Sequence, residues 1–206
     1  MTDPKWLAWA QHMHSIAQAG LTYCRDPFDR ERYAQLNDLA AEILANYTAH
    51  PLNVLQDILT GERGYATPKV DTRGVVFQDS KILLVKERSD GGWTLPGGWV
   101  DLGETPSRAV EREIWEESGY ETRAVKLLAL YDRNLHGHPP FIFHTYKLYF
   151  LCELTGGAPA MSMETDGVDF FREDSLPPLS IMRTTESVLH RMFEHHRNPD
   201  LPTDYD

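Results

Sequence analysis

Cysteine is scarce in this chain of 206 residues, which contains two, Cys24 and Cys152. They lie far apart and in no metal-binding spacing, so neither a disulfide framework nor a cysteine-based metal site is expected. Long apolar runs are absent too, since none reaches the roughly 18–20 residues that a membrane helix needs. The N-terminus lacks the basic-then-apolar order of a signal peptide. These absences predict a cytoplasmic protein that has no membrane partner.

Basic residues are also in deficit, with 20 Lys and Arg against 31 Asp and Glu and a formal net charge of -11. A nucleic-acid-binding protein needs an excess of Lys and Arg to neutralise phosphates, so this function class is disfavoured. A small phosphate-containing substrate stays compatible with the charge, because divalent cations can bridge an acidic site to an acidic ligand. No internal repeat or low-complexity segment is present.

The first sixty residues have apolar side chains at helical spacing, which predicts three helices. The first is expected to stop at Gly20, the second to begin near Asp29, and the third to follow Pro51. The aromatic residues Trp6, Trp9, Tyr23 and Tyr33 are expected to pack between these helices. The alternative is that this helical unit packs on the second domain or on a second subunit and forms a wall of the substrate site. A turn-rich stretch at residues 60–68 then predicts a linker. We therefore predict a small helical domain at residues 1–65 and a second domain at residues 66–206.

The second domain has the pattern of strands that alternate with helices. Residues 74–77 and 82–85 are predicted to form a hairpin, and residues 124–131, 141–154 and 168–171 to form further strands. A final helix is predicted at residues 184–195, and the polar tail after Asn198 is expected to be mobile. This order predicts an α+β fold with a mixed sheet between helices.

Between these strands, a helix that Thr105 could cap and whose first turn Pro106 suits is predicted to carry three carboxylates on one face, those of Glu113, Glu116 and Glu117. Positions i, i+3 and i+4 of a helix are neighbours, and like charges at this spacing repel each other. Clustered oxygen ligands without His or Cys favour a hard cation, Mg²⁺ or Mn²⁺. The alternative is a solvated acidic face, which is the commoner reason for a run of Glu.

The residues around this helix favour the metal site, because they resemble the Nudix box. That pattern has seven fixed positions, and all of them match: Gly98, Glu104, Arg112, Glu113, Glu116, Glu117 and Gly119. Tyr120 departs from the pattern, which prefers an aliphatic residue there.

The resemblance implies an α/β/α sandwich that hydrolyses a nucleoside diphosphate linked to a group X, with Mg²⁺ or Mn²⁺ as cofactor. By position, Glu113, Glu116, Glu117 and the backbone carbonyl of Gly97 would be metal ligands. Glu116 and Glu117 would also be catalytic, together with Arg112, which would orient a carboxylate. Gly98, Glu104 and Gly119 would have structural roles in the motif.

Outside the box, Glu164 is the candidate for a catalytic base or an additional metal ligand, with Glu153 and Asp166 as weaker options. A solvated loop carboxylate is an equally good interpretation of each. Trp99 could stack on a base or contact a choline cation. Arg133 and Asn134 lie in a loop at residues 132–140 that could reach over the site, where they could contact phosphate or sugar.

The helical segment is similar to the N-terminal extension of one bacterial Nudix subfamily, which includes CDP-choline and ADP-ribose pyrophosphatases and whose members are typically homodimers. This resemblance implies hydrolysis of such a compound to a nucleoside monophosphate and X-phosphate, by a homodimer. A Nudix-derived sensor that binds a nucleotide sugar without turnover is the alternative, but sensors usually have an eroded box. RNA processing is disfavoured by the acidic charge.

Overall fold

The computed structural model describes residues 4–206, and this part of the chain separates into two compact units. The helical unit comprises the described residues up to 68 together with residues 140–144, and the sheet unit comprises residues 69–139 and 145–206. None of the helices within residues 4–206 combines the length and apolar character that a bilayer crossing requires. The domain boundary after residue 65 stays a prediction.

The helical unit contains α1 (Lys5–Tyr23), α2 (Pro27–Tyr47) and α3 (Leu52–Gly61). The Asp26 side chain caps α2 by accepting hydrogen bonds from the backbone N–H groups of Phe28 and Asp29, as expected for an N-cap aspartate. All three helices contribute buried apolar residues to one core, and Ile142 packs against it: Leu7, Ala10, Ala40, Ala41, Leu44, Leu55 and Leu59.

Three sequence-based expectations for this unit are wrong. Helix α1 continues past Gly20 to Tyr23. Gly20 instead allows close packing of α1 on α2, because a Cβ atom there would lie 2.4 Å from the ring of Tyr33. Trp9 and Tyr23, expected between the helices, are 61% and 65% exposed.

The third error concerns residues 141–144, which were expected to begin a long strand. They belong to the helical unit, and the strand begins at Thr145. The backbone carbonyl of Phe141 accepts a hydrogen bond from the Gln11 side chain at 3.1 Å. The apolar residues of this segment therefore pack against helices, and their composition was misleading as a strand signal.

The sheet unit has eight strands and two α-helices. In chain order they are β1 (Lys69–Val75), β2 (Phe77–Gln78), β3 (Lys81–Glu87), β4 (Trp93–Thr94), α4 (Pro106–Ser118), β5 (Tyr120–Asp132), β6 (Thr145–Gly157), β7 (Thr165–Phe171), α5 (Glu186–Arg197) and β8 (Asp204–Tyr205).

Two sheets of four strands make up this unit. The first has the order β1-β6-β5-β8 and is mixed, because β1 pairs with β6 in parallel and β5 pairs with β6 antiparallel. In the second, β3 pairs antiparallel with β2, β4 and β7. One buried apolar cluster lies against α5 and another against α4. The predicted α+β class with a mixed sheet is confirmed. A hairpin forms at the predicted place, but it is shorter than expected, because β2 pairs with β3 only through Phe77 and Gln78 while residues 74–75 belong to β1.

The tail after Asn198 was expected to be mobile, but it contains β8, which pairs in parallel with β5. Asp204 fixes this strand by accepting two hydrogen bonds from Arg191, at 2.6 and 2.7 Å, and one from the hydroxyl of Tyr131 at 3.0 Å. The Arg191 bonds, with help from His195, hold the pKa of Asp204 well below its usual value. The polar composition suggested mobility because the partners of Asp204 lie elsewhere in the sequence.

Candidate active site

Helix α4 carries the carboxylates that were identified from the sequence. The side chain of Thr105 caps it by accepting from the N–H of Arg108 at 3.4 Å, and Pro106 occupies the first helical position. Val110 and Ile114 are fully buried and hold the helix on the sheet unit. The helix ends at Gly119, which has the left-handed conformation (φ 76°) common at helix C-termini.

A turn at Gly97 and Gly98 lies against this helix. Backbone hydrogen bonds of 2.8 to 3.1 Å join residues 96–100 to β1 and so fix the turn. Gly97 has a φ of 143°, and a Cβ atom there would lie 2.0 Å from the carbonyl oxygen of Thr72. A side chain is therefore excluded at this position on both conformational and steric grounds.

Glu117 is the most buried of the three carboxylates, with 6% of its surface exposed. Its Oε2 atom accepts a hydrogen bond from the backbone N–H of Gly97 at 2.8 Å. Burial raises the pKa of Glu117 to about 8, although the charge of Arg73 and the Gly97 hydrogen bond act in the opposite direction. The ionised carboxylate thus lacks enough positive charge nearby, which a bound cation would provide.

Glu113 lies directly beneath Gly98, where a Cβ atom would come within 2.9 Å of its Oε1 atom. Burial raises the pKa of Glu113 as well, and the neighbouring Arg112 limits the rise. Glu116 is more exposed and shares the same partner, since Arg112 donates to Glu113 at 2.8 Å and to Glu116 at 2.9 Å.

Arg112 links these carboxylates to Glu104. Its guanidinium donates two hydrogen bonds to Glu104, of 3.1 and 3.0 Å, in the bidentate arrangement that suits a planar guanidinium. These bonds raise the pKa of Arg112 and lower that of Glu104. One arginine therefore orients three of the acidic residues of the motif.

A cavity of about 890 Å³ lies beside this arrangement. It brings together most of the residues selected from the sequence: Gly97, Gly98, Trp99, Arg112, Glu113, Glu116, Glu117, Gly119 and Glu164. Glu164 is exposed and reaches the cavity from the loop before β7. The weaker options for the further acid lie outside the lining, since Glu153 pairs with Arg123 at 2.8 Å and Asp166 lies 3.9 Å from Lys86.

Two other sequence-based candidates for substrate contact lie elsewhere. Arg133 is buried and donates hydrogen bonds to the backbone carbonyls of Pro139, at 2.8 Å, and Met182, at 3.2 Å. The backbone N–H of Asn134 donates to Asp132 at 3.0 Å. Neither residue lines the cavity. Arg133 ties the loop at residues 132–140 to neighbouring backbone through these bonds.

Several residues that line the cavity were missed by the sequence analysis: Arg73, Glu87, Trp115, Met161, Met163 and Arg183. Arg73 alone had a usable signal, because Asp71 and Arg73 are charged positions in an otherwise strand-like segment. Asp71 pairs with Arg73 at 3.0 Å and also with Lys147, which lies opposite it in the parallel register of β1 and β6. All three of these charged side chains are buried.

The donor set fits a divalent cation, because oxygen ligands are concentrated on one helix and the pKa values of Glu113 and Glu117 are raised by burial. Within residues 4–206, however, no three Asp, Glu, His or Cys side chains converge closely enough to enclose a metal ion. Glu113 and Glu116 instead contact Arg112. A cation would therefore have to compete with this arginine for their oxygen atoms.

Comparison with known families assigns both parts of the chain. Residues 68–192 match the NUDIX domain family. Residues 4–59 match a family described as a UDP-X-like N-terminal oligomerisation domain.

Relatives of known sequence or structure agree with these matches. A Bacillus subtilis protein provisionally named an ADP-ribose pyrophosphatase is 46% identical over 202 residues, which cover 98% of this chain and 97% of that protein. The crystal structure of a UDP-X diphosphatase is 31% identical and covers both chains fully, with a TM-score of 0.64. An ADP-ribose pyrophosphatase structure from Streptococcus suis is 38% identical over 68% of this chain and all of that one, with a TM-score of 0.63.

Proposed function

Because the chain belongs to the Nudix hydrolase family, we propose that it hydrolyses the pyrophosphate bond of a nucleoside diphosphate linked to a group X. The products would be a nucleoside monophosphate and X-phosphate. One observation carries this proposal: the cavity of about 890 Å³ is lined by Glu113, Glu116 and Glu117, the carboxylates of an intact box. A sensor without turnover would have no need to retain all of them.

The proposed cofactor is Mg²⁺ or Mn²⁺, held by Glu113, Glu116, Glu117 and the carbonyl of Gly97. When bound, such a cation neutralises pyrophosphate oxygens and lowers the pKa of a coordinated water. The donor chemistry and the two raised carboxylate pKa values support this assignment.

The protein's own contribution is to hold these groups in position. Arg112 restrains Glu113 and Glu116 from one side, and the N–H of Gly97 restrains Glu117. Fixed ligands reduce the reorganisation that the reaction requires. Burial of Glu117 also limits the access of bulk water to its carboxylate.

Glu164 is the proposed acceptor for the proton of the attacking water. Its backbone is fixed, because its carbonyl accepts from the N–H of Arg88 at 3.0 Å and its own N–H donates to Ser162 Oγ at 3.0 Å. Its carboxylate is exposed on the lining of the same cavity as Glu117. An exposed group on an anchored loop can accept a proton from the site and release it to solvent.

The favoured substrates are ADP-ribose and UDP-linked compounds, because the names of the similar proteins mention these two classes. CDP-choline remains in the proposal as a third compound. Four apolar side chains on the cavity lining are suited to a nucleobase, and each is exposed: Trp99, Trp115, Met161 and Met163. The cavity volume of about 890 Å³ lies within the usual range for small-molecule sites.

The test is a panel of ADP-ribose, a UDP-sugar and CDP-choline with Mg²⁺ or Mn²⁺, in which nucleoside monophosphate is quantified chromatographically. The wild type should hydrolyse at least one compound. Glu117→Gln should reduce kcat by at least ~100-fold, because it removes a metal-binding charge. Its melting temperature should equal that of the wild type, since glutamine can still accept the hydrogen bond from the Gly97 N–H.

Glu153→Gln is the matched control, because it removes a carboxylate outside the cavity lining. Its kcat should equal that of the wild type. A wild type that hydrolyses no compound in the panel would refute the proposed function. Equal turnover by Glu117→Gln and wild type would refute the proposed metal site alone.

We also propose that the protein is a homodimer held together through the helical unit. Residues 4–59 match a family described as an oligomerisation domain. The helices of this unit expose large aromatic side chains, including Trp9, Tyr23 and Phe28. Exposed aromatic groups on adjacent helices are common at protein interfaces.

A further inference from the structure

Arg183 lies on the lining of the same cavity as the α4 carboxylates, although it is far from the box in sequence. It stands at the end of a tight turn before α5, in which the N–H groups of Arg183 and Thr184 both donate to the Ser180 carbonyl, at 2.8 and 2.9 Å. Its side chain is 32% exposed, so it is neither buried in the core nor free in solvent.

One part of its guanidinium is held by fixed partners. Its Nε atom lies 2.9 Å from Glu87 Oε1, Nη1 donates to Ser180 Oγ at 3.2 Å, and Nη2 donates to Ser89 Oγ at 3.3 Å. A guanidinium has five N–H donors. These bonds use one N–H on each nitrogen and leave one on Nη1 and one on Nη2. Nη1 also lies 3.6 Å from Asp90 Oδ2, an ion-pair contact that is longer than a hydrogen bond.

The partners of Arg183 are themselves restrained. Glu87 and Ser180 are buried, and Ser180 Oγ donates to Asp90 at 2.7 Å. The N–H of Gly92 donates to the same aspartate at 3.0 Å, and a Cβ atom at Gly92 would lie 2.5 Å from the Ser180 nitrogen. The end of β3, the turn between β3 and β4 and the turn before α5 therefore hold Arg183 together. They fix its guanidinium in one orientation before any ligand binds.

The other cavity arginines are less available to a ligand, Arg112 because of its hydrogen bonds and Arg73 because of its burial. Arg112 makes four hydrogen bonds, all to Glu104, Glu113 and Glu116. Arg73 is 6% exposed and bonds to Asp71 and the Leu95 carbonyl. Among the three, Arg183 alone combines two N–H groups outside any hydrogen bond with a side chain that is 32% exposed.

We propose that Arg183 is an anion-binding residue that donates hydrogen bonds from Nη1 and Nη2 to phosphate oxygens of the substrate. This inference rests on the proposed function and names a residue that determines where the diphosphate lies. Two terminal N–H groups of a planar guanidinium match two phosphate oxygens. Glu87 is then a positioning residue, which holds Nε and turns the remaining N–H groups toward the ligand.

The competing explanation is that Arg183 only neutralises the buried carboxylate of Glu87. The two explanations differ in a double variant. If neutralisation is the sole role, Glu87→Gln should repair every defect of Arg183→Gln. If Arg183 binds the anion, Glu87→Gln should restore the melting temperature and leave the affinity for the anion low.

The experiment measures the binding of inorganic pyrophosphate by calorimetry, in the presence of Mg²⁺, together with KM and kcat on any hydrolysed compound. Arg183→Gln should weaken pyrophosphate binding by about 10- to 100-fold, the effect of losing charged hydrogen bonds. KM should rise by a similar factor, and kcat should change less than fivefold. Arg183→Lys should have an intermediate affinity for pyrophosphate, because it retains the positive charge but lacks the planar guanidinium with its two terminal donors. Arg172→Gln, an exposed arginine paired with Asp174, is the control and should bind as the wild type does.

The inference is overturned if Arg183→Gln binds pyrophosphate as the wild type does, if the double variant regains wild-type affinity, or if the wild type binds no pyrophosphate. These outcomes are separable from a failure of the proposed function, because pyrophosphate binding does not depend on turnover. Suppose that the wild type hydrolyses no compound and that Arg183→Gln binds pyrophosphate more weakly than the wild type does. This result would refute the proposed function and support the anion subsite.

Discussion

At the scale of single residues, the charges buried inside the sheet near the active site are paired with one another. Asp71 pairs with both Arg73 and Lys147, and all three side chains are buried. Burial lowers the pKa of Lys147 to about 8, although Asp71 opposes this change. Buried charges are tolerated when they are paired and hydrogen-bonded. Arg73 interacts electrostatically both with Asp71 inside the sheet and with Glu117, whose carboxylate faces the cavity.

His138 leads to a prediction about stability at low pH. Burial lowers the pKa of His138 to about 3, and Lys147, Arg133 and Arg73 add to the effect. Below pH 6.5 the unfolded chain takes up a proton at this histidine while the folded chain does not. The free energy of unfolding should therefore fall between pH 6.5 and 3, with a contribution of up to about 1.4 kcal/mol per pH unit.

The check is to compare urea unfolding of wild type and His138→Asn across this pH range. Asparagine can replace the hydrogen bond that His138 Nδ1 donates to the Ile181 carbonyl at 2.9 Å. The variant should lose less stability than the wild type on acidification. His50→Asn, at an exposed histidine, should leave the pH dependence unchanged. Parallel curves for wild type and His138→Asn would contradict this prediction.

Site residues that lie close together in the chain were easier to identify from the sequence than site residues that meet only in the folded structure. Glu113, Glu116 and Glu117 are recognisable because helical spacing alone brings them to one face. Arg183 and Glu87 are separated by most of the sheet unit, and no spacing rule relates them. Arg133 was selected for its loop position, but its burial depends on contacts with residues near Met182.

At the scale of secondary structure, β8 shows how one charged residue can fix a short strand. Asp204→Ala removes acceptors for Arg191 and Tyr131, so β8 should detach from β5. The free energy of unfolding should fall by about 1.5 to 3 kcal/mol, the range for hydrogen bonds to charged groups. Chemical denaturation measures this loss, and limited proteolysis should cut the tail of the variant faster.

Asp200→Ala is the matched control, because Asp200 is an exposed residue of the same tail. It should alter neither the stability nor the rate of proteolysis. Equal proteolysis of the Asp204→Ala and wild-type tails would show that backbone pairing alone holds β8.

Element boundaries were predictable where the signal was local. The hairpin of β2 and β3 and the cap of α4 by Thr105 follow from turn and capping residues. Gly20 failed as a stop signal because its contact with Tyr33 involves another helix. Residues 141–144 failed because apolar composition does not distinguish a strand from a segment that packs on helices.

At the scale of the whole molecule, the proposed homodimer predicts a mass in solution of twice 23.6 kDa. Trp9→Asp places a charge on an exposed aromatic position of α1 and should shift the protein toward the monomer, because interfaces disfavour an unpaired charge. Sedimentation velocity at several concentrations measures this shift. Tyr65→Asp, at an exposed aromatic residue of the linker, should leave the mass unchanged. A wild type that sediments as a monomer at all concentrations would contradict the dimer.

The pairing of Asp71 with Lys147 also bears on how the chain finds its fold. Strands β1 and β6 are parallel and are separated by 69 residues of chain, from Val75 to Thr145. Such non-local pairings form slowly, and a strand can slip by one or two residues while it docks. In a slipped alignment Asp71 would keep Arg73, which lies on its own strand, but Lys147 would enter the interior without its carboxylate partner, at a cost of several kcal/mol. The ion pair therefore favours the native register of β1 and β6 over slipped registers, which apolar residues alone would distinguish less well.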